Sequence, residues 1–213
     1  MNTDQIRHIH LLDELHSAKG LLVQGFGALQ EIDTRNRFYH VPHQLMASGL
    51  ERLMKCFISV VYHGRHGAFP DMQFMKDIGH DLDSLASTIW QDYYGGLGRP
   101  LVQAELDFLT TDPHVGDIIA ILSRFGRFGR YYNLDIVAGS PHDPINPEQD
   151  WKALETRMEP PLPYVTDLEG LQRDYYPRVN SMIVGRLERL VRAIALQFTL
   201  GDHVDPQGYI RQA

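Results

Sequence analysis

The chain has 213 residues, 43% of them hydrophobic and 22% charged, with a formal charge of −7. That is enough apolar material for one ordinary domain with a real core, and too little charge of one sign for a disordered chain. The acidic balance argues against a protein that coats duplex DNA, though not against a local basic groove. A single cysteine, Cys56, excludes a disulfide framework and a cysteine-ligated zinc site. No apolar run approaches the roughly 18–20 residues that cross a bilayer. The charged start MNTDQIRHIHLLDELH lacks the small-residue cleavage site of a signal peptide. A soluble, cytoplasmic protein with no membrane partner is expected.

Helical periodicity dominates from the first residues on. Over 5–32, Ile9, Leu12, Leu15, Ala18, Leu22, Phe26, Leu29 and Ile32 recur at three or four residues and predict one apolar stripe. Gly20, Gly25 and Gly27 weaken that helix and read as flat spots for a close neighbour. After the polar break at 33–36, a second helix is expected over 42–63, with Leu45, Gly49, Leu53, Phe57 and Val60 as its packing face. His63-Gly-Arg-His-Gly67 ends it, and Pro70 prevents continuation. A helical turn around 72–76 follows. Leu82, Leu85, Ile89 and Trp90 then mark a helix that stops at Gly95-Gly96.

Pro100 opens a helix over 100–110, with Leu101, Ala104, Leu106 and Leu109 expected inward. Asp112-Pro113 opens the next as N-cap and first residue. Residues 139–150, with three prolines, read as a loop before a short helix at 148–157, and Pro160-Pro-Leu-Pro163 as a rigid connector. Thr166-Asp-Leu-Glu169 has the form of a capping box. It heads a last long helix that Pro177 should kink or split. Nothing alternates as a strand, so the expectation is an all-α multi-helix bundle of about six to eight helices. It forms a single helical domain, with 160–213 packed on the rest. Leu50–Lys55 echoes Leu187–Arg192, but the flanks do not align, and the echo is read as convergence.

Residues 123–135, SRFGRFGRYYNLD, are the most unusual stretch. Positions three apart drift by about 60° on a helix, so Arg124, Arg127 and Arg130 share a broad face beside a bare zone (Gly126, Gly129) and an aromatic one (Phe125, Phe128). Two accounts are open. The arginines pair with carboxylates such as Asp81, Asp83, Asp92, Glu105 or Asp107 on facing helices, or they line a phosphate-binding groove in which Tyr131 and Tyr132 stack on bases.

Two further stretches carry a family resemblance. Gly49-Leu-Glu51-Arg-Leu-Met-Lys55 is an E-x-x-x-K on an apolar helix, and Gly79-His80-Asp81-Leu82 is a loop-to-helix motif of the form G-H-D-L. Over about residues 40–137 this arrangement resembles HEPN domains, small and usually dimeric helical bundles of toxin–antitoxin and phage-defence systems. The resemblance implies a homodimer, metal-independent ribonuclease chemistry on an R-x(4–6)-H motif, no cofactor, and RNA or a cognate antitoxin as partner. In such a site arginine stabilises charge on the scissile phosphate and histidine moves the proton.

Arg35/His40 and Arg37/His43 have that spacing, and Arg35-Asn36-x-x-x-His40 also has the asparagine common in the family. The resemblance thus assigns catalysis to Arg35, Asn36 and His40, with Glu51 and Lys55, while the groove account of the stripe assigns ligand binding to Arg124, Arg127, Arg130, Tyr131 and Tyr132. The motif precedes the E-x-x-x-K helix instead of following it. Where family order would place it, Arg130-Tyr-Tyr-Asn-Leu-Asp135 has Asp for His. Cleavage is therefore expected to be weak or absent.

The bland alternative is a helical interaction protein, in which Glu51 and Lys55 are an ordinary i, i+4 ion pair. A third reading is a metal-dependent bundle enzyme built on the pairs His8/His10, His40/His43 and His63/His66. Of the possible acidic complements only Asp77/His80 has the right spacing, and no H-E-x-x-H, P-loop or nucleophile-elbow motif is present. No metal is expected.

Overall fold

The computed structural model describes residues 3–96, 98–139, 146–159 and 167–200. The fold is an all-α multi-helix bundle, as expected, with no strand among the described residues. In chain order the helices are α1 (Thr3–Gln30), α2 (His40–His66), α3 (Met72–Asp77), α4 (Leu82–Thr88), α5 (Pro100–Thr111), α6 (Pro113–Phe128), α7 (Tyr132–Val137), α8 (Pro147–Met158), α9 (Leu168–Gly170) and α10 (Tyr176–Leu200). No helix among the described residues is long and apolar enough to cross a membrane.

Helices α1 and α2 form an antiparallel hairpin whose seam differs from the expected stripe. Ala18, Leu22, Gly25, Leu29 and Ile32 are buried, at alternating steps of four and three. This is the 3.5-residue period of two helices in extended contact. Ile9 and Leu12, expected in the core, sit one position off that seam and are about half exposed (46% and 49%). Two glycines permit the close approach. A Cβ on Gly25 would stand 3.2 Å from the Met46 backbone nitrogen, and one on Gly49 would meet the Leu22 side chain at 2.7 Å. Gly20 and Gly27 face open space and are not flat spots for a neighbour.

Helix α2 is the central element. Met46, Leu50, Met54, Phe57, Ile58 and Val61 are fully buried, and α1, α4, α6 and α10 pack around it. It ends where expected: Gly67 takes the left-handed conformation (φ 67°) and returns its N–H to the His63 carbonyl. Asp112 caps α6 by accepting from the backbone of His114 and Val115.

Helix α5 turns inward a face that matches the expected one only in part: Leu109 is buried and Leu106 packs against the core, as expected. Leu101 is half exposed and Ala104 is exposed, whereas Val102 and Glu105 are buried in their place. Glu105 receives Arg189 at 2.8 Å and also Arg192, both from α10. A carboxylate with two guanidinium partners can occupy an inward position that apolar counting assigns to leucine. Helix α10 buries Val179, Ile183, Val184, Leu187 and Ile194 against α1, α2 and α5.

The expected capping residue Thr166 lies outside the described residues, as do 140–145 of the loop and all of the 160–163 connector. Asp167 caps α9, accepting from Gly170 N at 2.6 Å. The expected disturbance at Pro177 takes the form of a break in the α-helical pattern just ahead of it. Residues 171–175 form one wide π-type turn ahead of it, which accommodates the missing N–H. A similar wide turn at 89–93 ends α4.

Candidate functional site

The arginine stripe does not act as one surface. Arg124, on the α8 side of α6, reaches Asp150 at 2.7 Å. Arg127 turns toward α4 and pairs with Asp81, with its guanidinium also 4.9 Å from the Phe128 ring centroid. Asp81 is a busy group. It caps α4 by accepting from Ser84 N at 3.0 Å and accepts from Ser123 Oγ at 3.3 Å, while Ser123 Oγ accepts the Leu82 N–H at 2.9 Å. The Ser84 N–H and then the Arg127 charge hold the Asp81 carboxyl below its ordinary range. Two of the three arginines therefore tie helices together. Of the two expected aromatic anchors, only Phe125 is in the core, and Phe128 is half exposed.

Arg130 differs because α6 ends before it. The helix stops at Phe128, and residues 129–131 tighten into a 3₁₀ turn that leads into α7. The change of rotation carries Arg130 off the stripe. It is exposed, forms no ion pair or hydrogen bond with any described residue, and stands where three concavities meet.

The first concavity is a cleft of about 480 Å³ between the start of α2 and the α6–α7 turn. Arg130, Tyr131, Tyr132 and Asn133 form one wall, and Arg37, Phe38 and His40 the other. His43 lines it deeper, 1% exposed, its ring centroid 4.5 Å from Trp151 and 5.3 Å from Phe125. Burial, with a smaller push from His40, lowers the His43 pKa to about 3, so the ring is neutral at physiological pH.

The residues of the R-N-x-x-x-H motif separate. Asp33 Oδ1 accepts from the backbone of Arg35 and Asn36, both at 2.7 Å. The Asn36 side chain in turn donates to the Glu31 carbonyl at 3.2 Å and accepts from Phe38 N at 3.2 Å. These bonds build the α1–α2 turn. Arg35 is exposed on it and does not line the cleft; Arg37 does. The second spacing match, Arg37 and His43, is thus the pair that shares a cavity with Arg130, and its spacing was the available signal for it.

Glu51, Lys55 and His80 come together on the other side of Arg130. His80 Nδ1 lies 2.7 Å and Lys55 Nζ 3.0 Å from the same Glu51 oxygen, and the two nitrogens are 3.3 Å apart. With Nδ1–H donating, the carboxylate fixes the imidazole tautomer. Burial pushes Glu51 up, but the bonds from His80 and Lys55 outweigh it and hold the carboxyl below its usual range. Glu51 and His80 line the second and third concavities together with Arg130.

The histidine pairs do not converge. His8 and His63 meet edge to face at 5.3 Å beside Phe69, His66 rests on Tyr62, and His40 stacks on Phe38. Among the described residues no three His, Cys, Asp or Glu side chains gather as a metal site. One buried pair had no sequence signal: the Tyr39 hydroxyl donates to both Glu155 oxygens, at 3.1 and 3.2 Å, joining α2 to α8 under the cleft. No family model, curated protein or solved structure matches this chain.

Proposed function

We propose that the chain is a HEPN-like protein that binds RNA or another phosphate-bearing ligand in the cleft beside Arg130, and cleaves it weakly or not at all. The Arg130 guanidinium, which has no ion-pair or hydrogen-bond partner among the described residues, carries this reading. Every other arginine of the stripe is neutralised by a carboxylate, whereas Arg130 meets solvent opposite Arg37. Two planar cations with Tyr131 and Tyr132 alongside suit a phosphate bearing an aromatic base. Weak cleavage is supported by the cleft's histidines. Buried, neutral His43 cannot exchange a proton near pH 7, which leaves His40 as the candidate general acid or base.

Fluorescence anisotropy with a short single-stranded RNA tests binding. Arg130→Ala should weaken it on the order of tenfold and reduce the salt slope by about one, with the melting temperature unchanged. Full affinity in that variant removes the proposal. Cleavage assays in EDTA with His40→Ala settle whether any residual hydrolysis belongs to this cleft.

A helical interaction protein is the second reading, and α7 favours it. That helix buries none of its residues and leaves Leu134, Ile136 and Val137 exposed, the last at 84%. Sedimentation of wild type against Val137→Asp tests whether this face joins two copies.

A further inference from the structure

We propose that His43 is a specificity-determining residue that reads the base of a nucleotide unit, so that the cleft selects a base joined to a phosphate over phosphate alone. This inference rests on the phosphate-cleft reading above. The observation that carries it is a polar group left incomplete: His43 lines the cleft, is 99% enclosed, and its Nε2 is sealed from solvent with no hydrogen-bond partner. Buried polar atoms are paired in nearly all native structures, and an unpaired one is a standing cost. Because the ring already lines the cleft, a shift of the side chains that cover Nε2 on ligand entry lets a ligand edge bearing a complementary donor or acceptor remove that cost.

The surroundings narrow the class of ligand. Kept neutral by burial, the ring offers one donor and one acceptor and no charge, which fits the polar edge of a heterocycle better than an anion. Phe125 and Trp151 hold the imidazole by its faces and edges, so its orientation is fixed before any ligand arrives. Phe38 and Tyr131 line the same cleft as exposed aromatic surfaces (64% and 67%), suited to the faces of a flat ring. Arg130 and Arg37 sit at the same cleft for the phosphate. A volume of about 480 Å³ is at the small-molecule end of ligand pockets. One nucleotide unit is therefore the element recognised, free or within a strand.

Calorimetric titration with inorganic phosphate, ribose 5-phosphate and the 5′-monophosphates of adenosine, guanosine, cytidine and uridine tests this. At least one nucleotide should bind roughly tenfold to hundredfold tighter than ribose 5-phosphate, the range a single stacked and bonded base supplies. His43→Phe, which keeps an aromatic ring and removes the nitrogens, should abolish that advantage while ribose 5-phosphate binds as before. His43→Gln should restore part of it. Should His43→Phe not fold, nuclear Overhauser contacts between the His43 ring and base protons in the unaltered protein decide the matter. Equal binding of ribose 5-phosphate and all four nucleotides, an undiminished advantage in His43→Phe, or absent contacts would overturn the assignment and leave the phosphate cleft standing. Phosphate binding that is absent, or indifferent to Arg130→Ala, would overturn both.

Discussion

Arg124, Arg127 and Arg130 repeat at one spacing, yet their surroundings give them different work. Arg124 and Arg127 answer to Asp150 and Asp81, and both pairs are partly exposed, so each contributes at most about 1 kcal/mol. Arg124→Ala should therefore lower the denaturation midpoint slightly and leave RNA affinity unchanged, the reverse of Arg130→Ala. Equal effects of the two variants on RNA retention would show that the stripe acts as a unit. Glu105 is the opposite case. It is 1% exposed and holds two α10 arginines. Glu105→Ala leaves two guanidinium groups without their counter-charge, but Arg189 and Arg192 are themselves 39% and 59% exposed, so water takes over part of their solvation and the loss is about 1–3 kcal/mol. Chemical denaturation should show that loss, with Arg189→Ala costing less because Arg192 still reaches the carboxylate.

At the scale of helices, much of the bundle was legible because apolar period, proline and capping residues agree. Asp112-Pro113, Gly67 and Pro100 each mark a boundary where the chain turns. What was hidden depends on partners far along the chain. Nothing local distinguishes Ile9 from Leu15; only the position of α2 decides which apolar residue meets the seam. Glu105 was hidden for the same reason, since its partners are more than eighty residues away. In the candidate site, spacing pointed at Arg37/His43 and Arg35/His40 alike, and a turn held by Asp33 and Asn36 separates them.

The α1 glycines allow a sharp test of the same point. Gly25→Ala places a methyl 2.8 Å from the Met46 side chain and 3.2 Å from its backbone, and overpacking of this kind costs about 1–3 kcal/mol. Gly20→Ala and Gly27→Ala meet open space and should each stabilise the helix by up to about 1 kcal/mol. Thermal melts of the three variants should therefore move in opposite directions. A uniform rise would mean that the hairpin is looser than its geometry indicates.

For the whole molecule, pH is the lever, and Glu155 is the group through which it acts. On α8 and facing the start of α2, the residue is 3% exposed. Burial raises its pKa to about 7, against the opposing pull of the Tyr39 hydrogen bond and Lys152, with Glu148 adding to the rise. In the unfolded chain the same group titrates near 4.5. The native state thus holds a proton that the unfolded chain gives up between these values. The stabilising contribution is fully present below pH 4.5, shrinks as pH rises, and is gone above about 7; a shift of this size corresponds to roughly 3 kcal/mol at most.

Asp81 and Glu51, whose pKa values are lowered, work the other way, and their contributions fade in acid. Stability should therefore peak in mildly acidic solution and not at neutrality. Glu155→Gln cannot ionise and keeps a polar head for the Tyr39 hydroxyl. In urea titrations at pH 5 and pH 8 it should flatten the difference that wild type shows, chiefly by raising the midpoint at pH 8. Because Tyr39 also lines the cleft and donates to Glu155, loss of the Glu155 proton places a negative charge beneath the cleft that repels a phosphate, even as it strengthens the Tyr39 hydrogen bond. Ligand affinity should then fall with pH in wild type and much less in Glu155→Gln. A midpoint difference that persists unchanged in the variant would assign the pH dependence to other groups and uncouple α8 from the cleft.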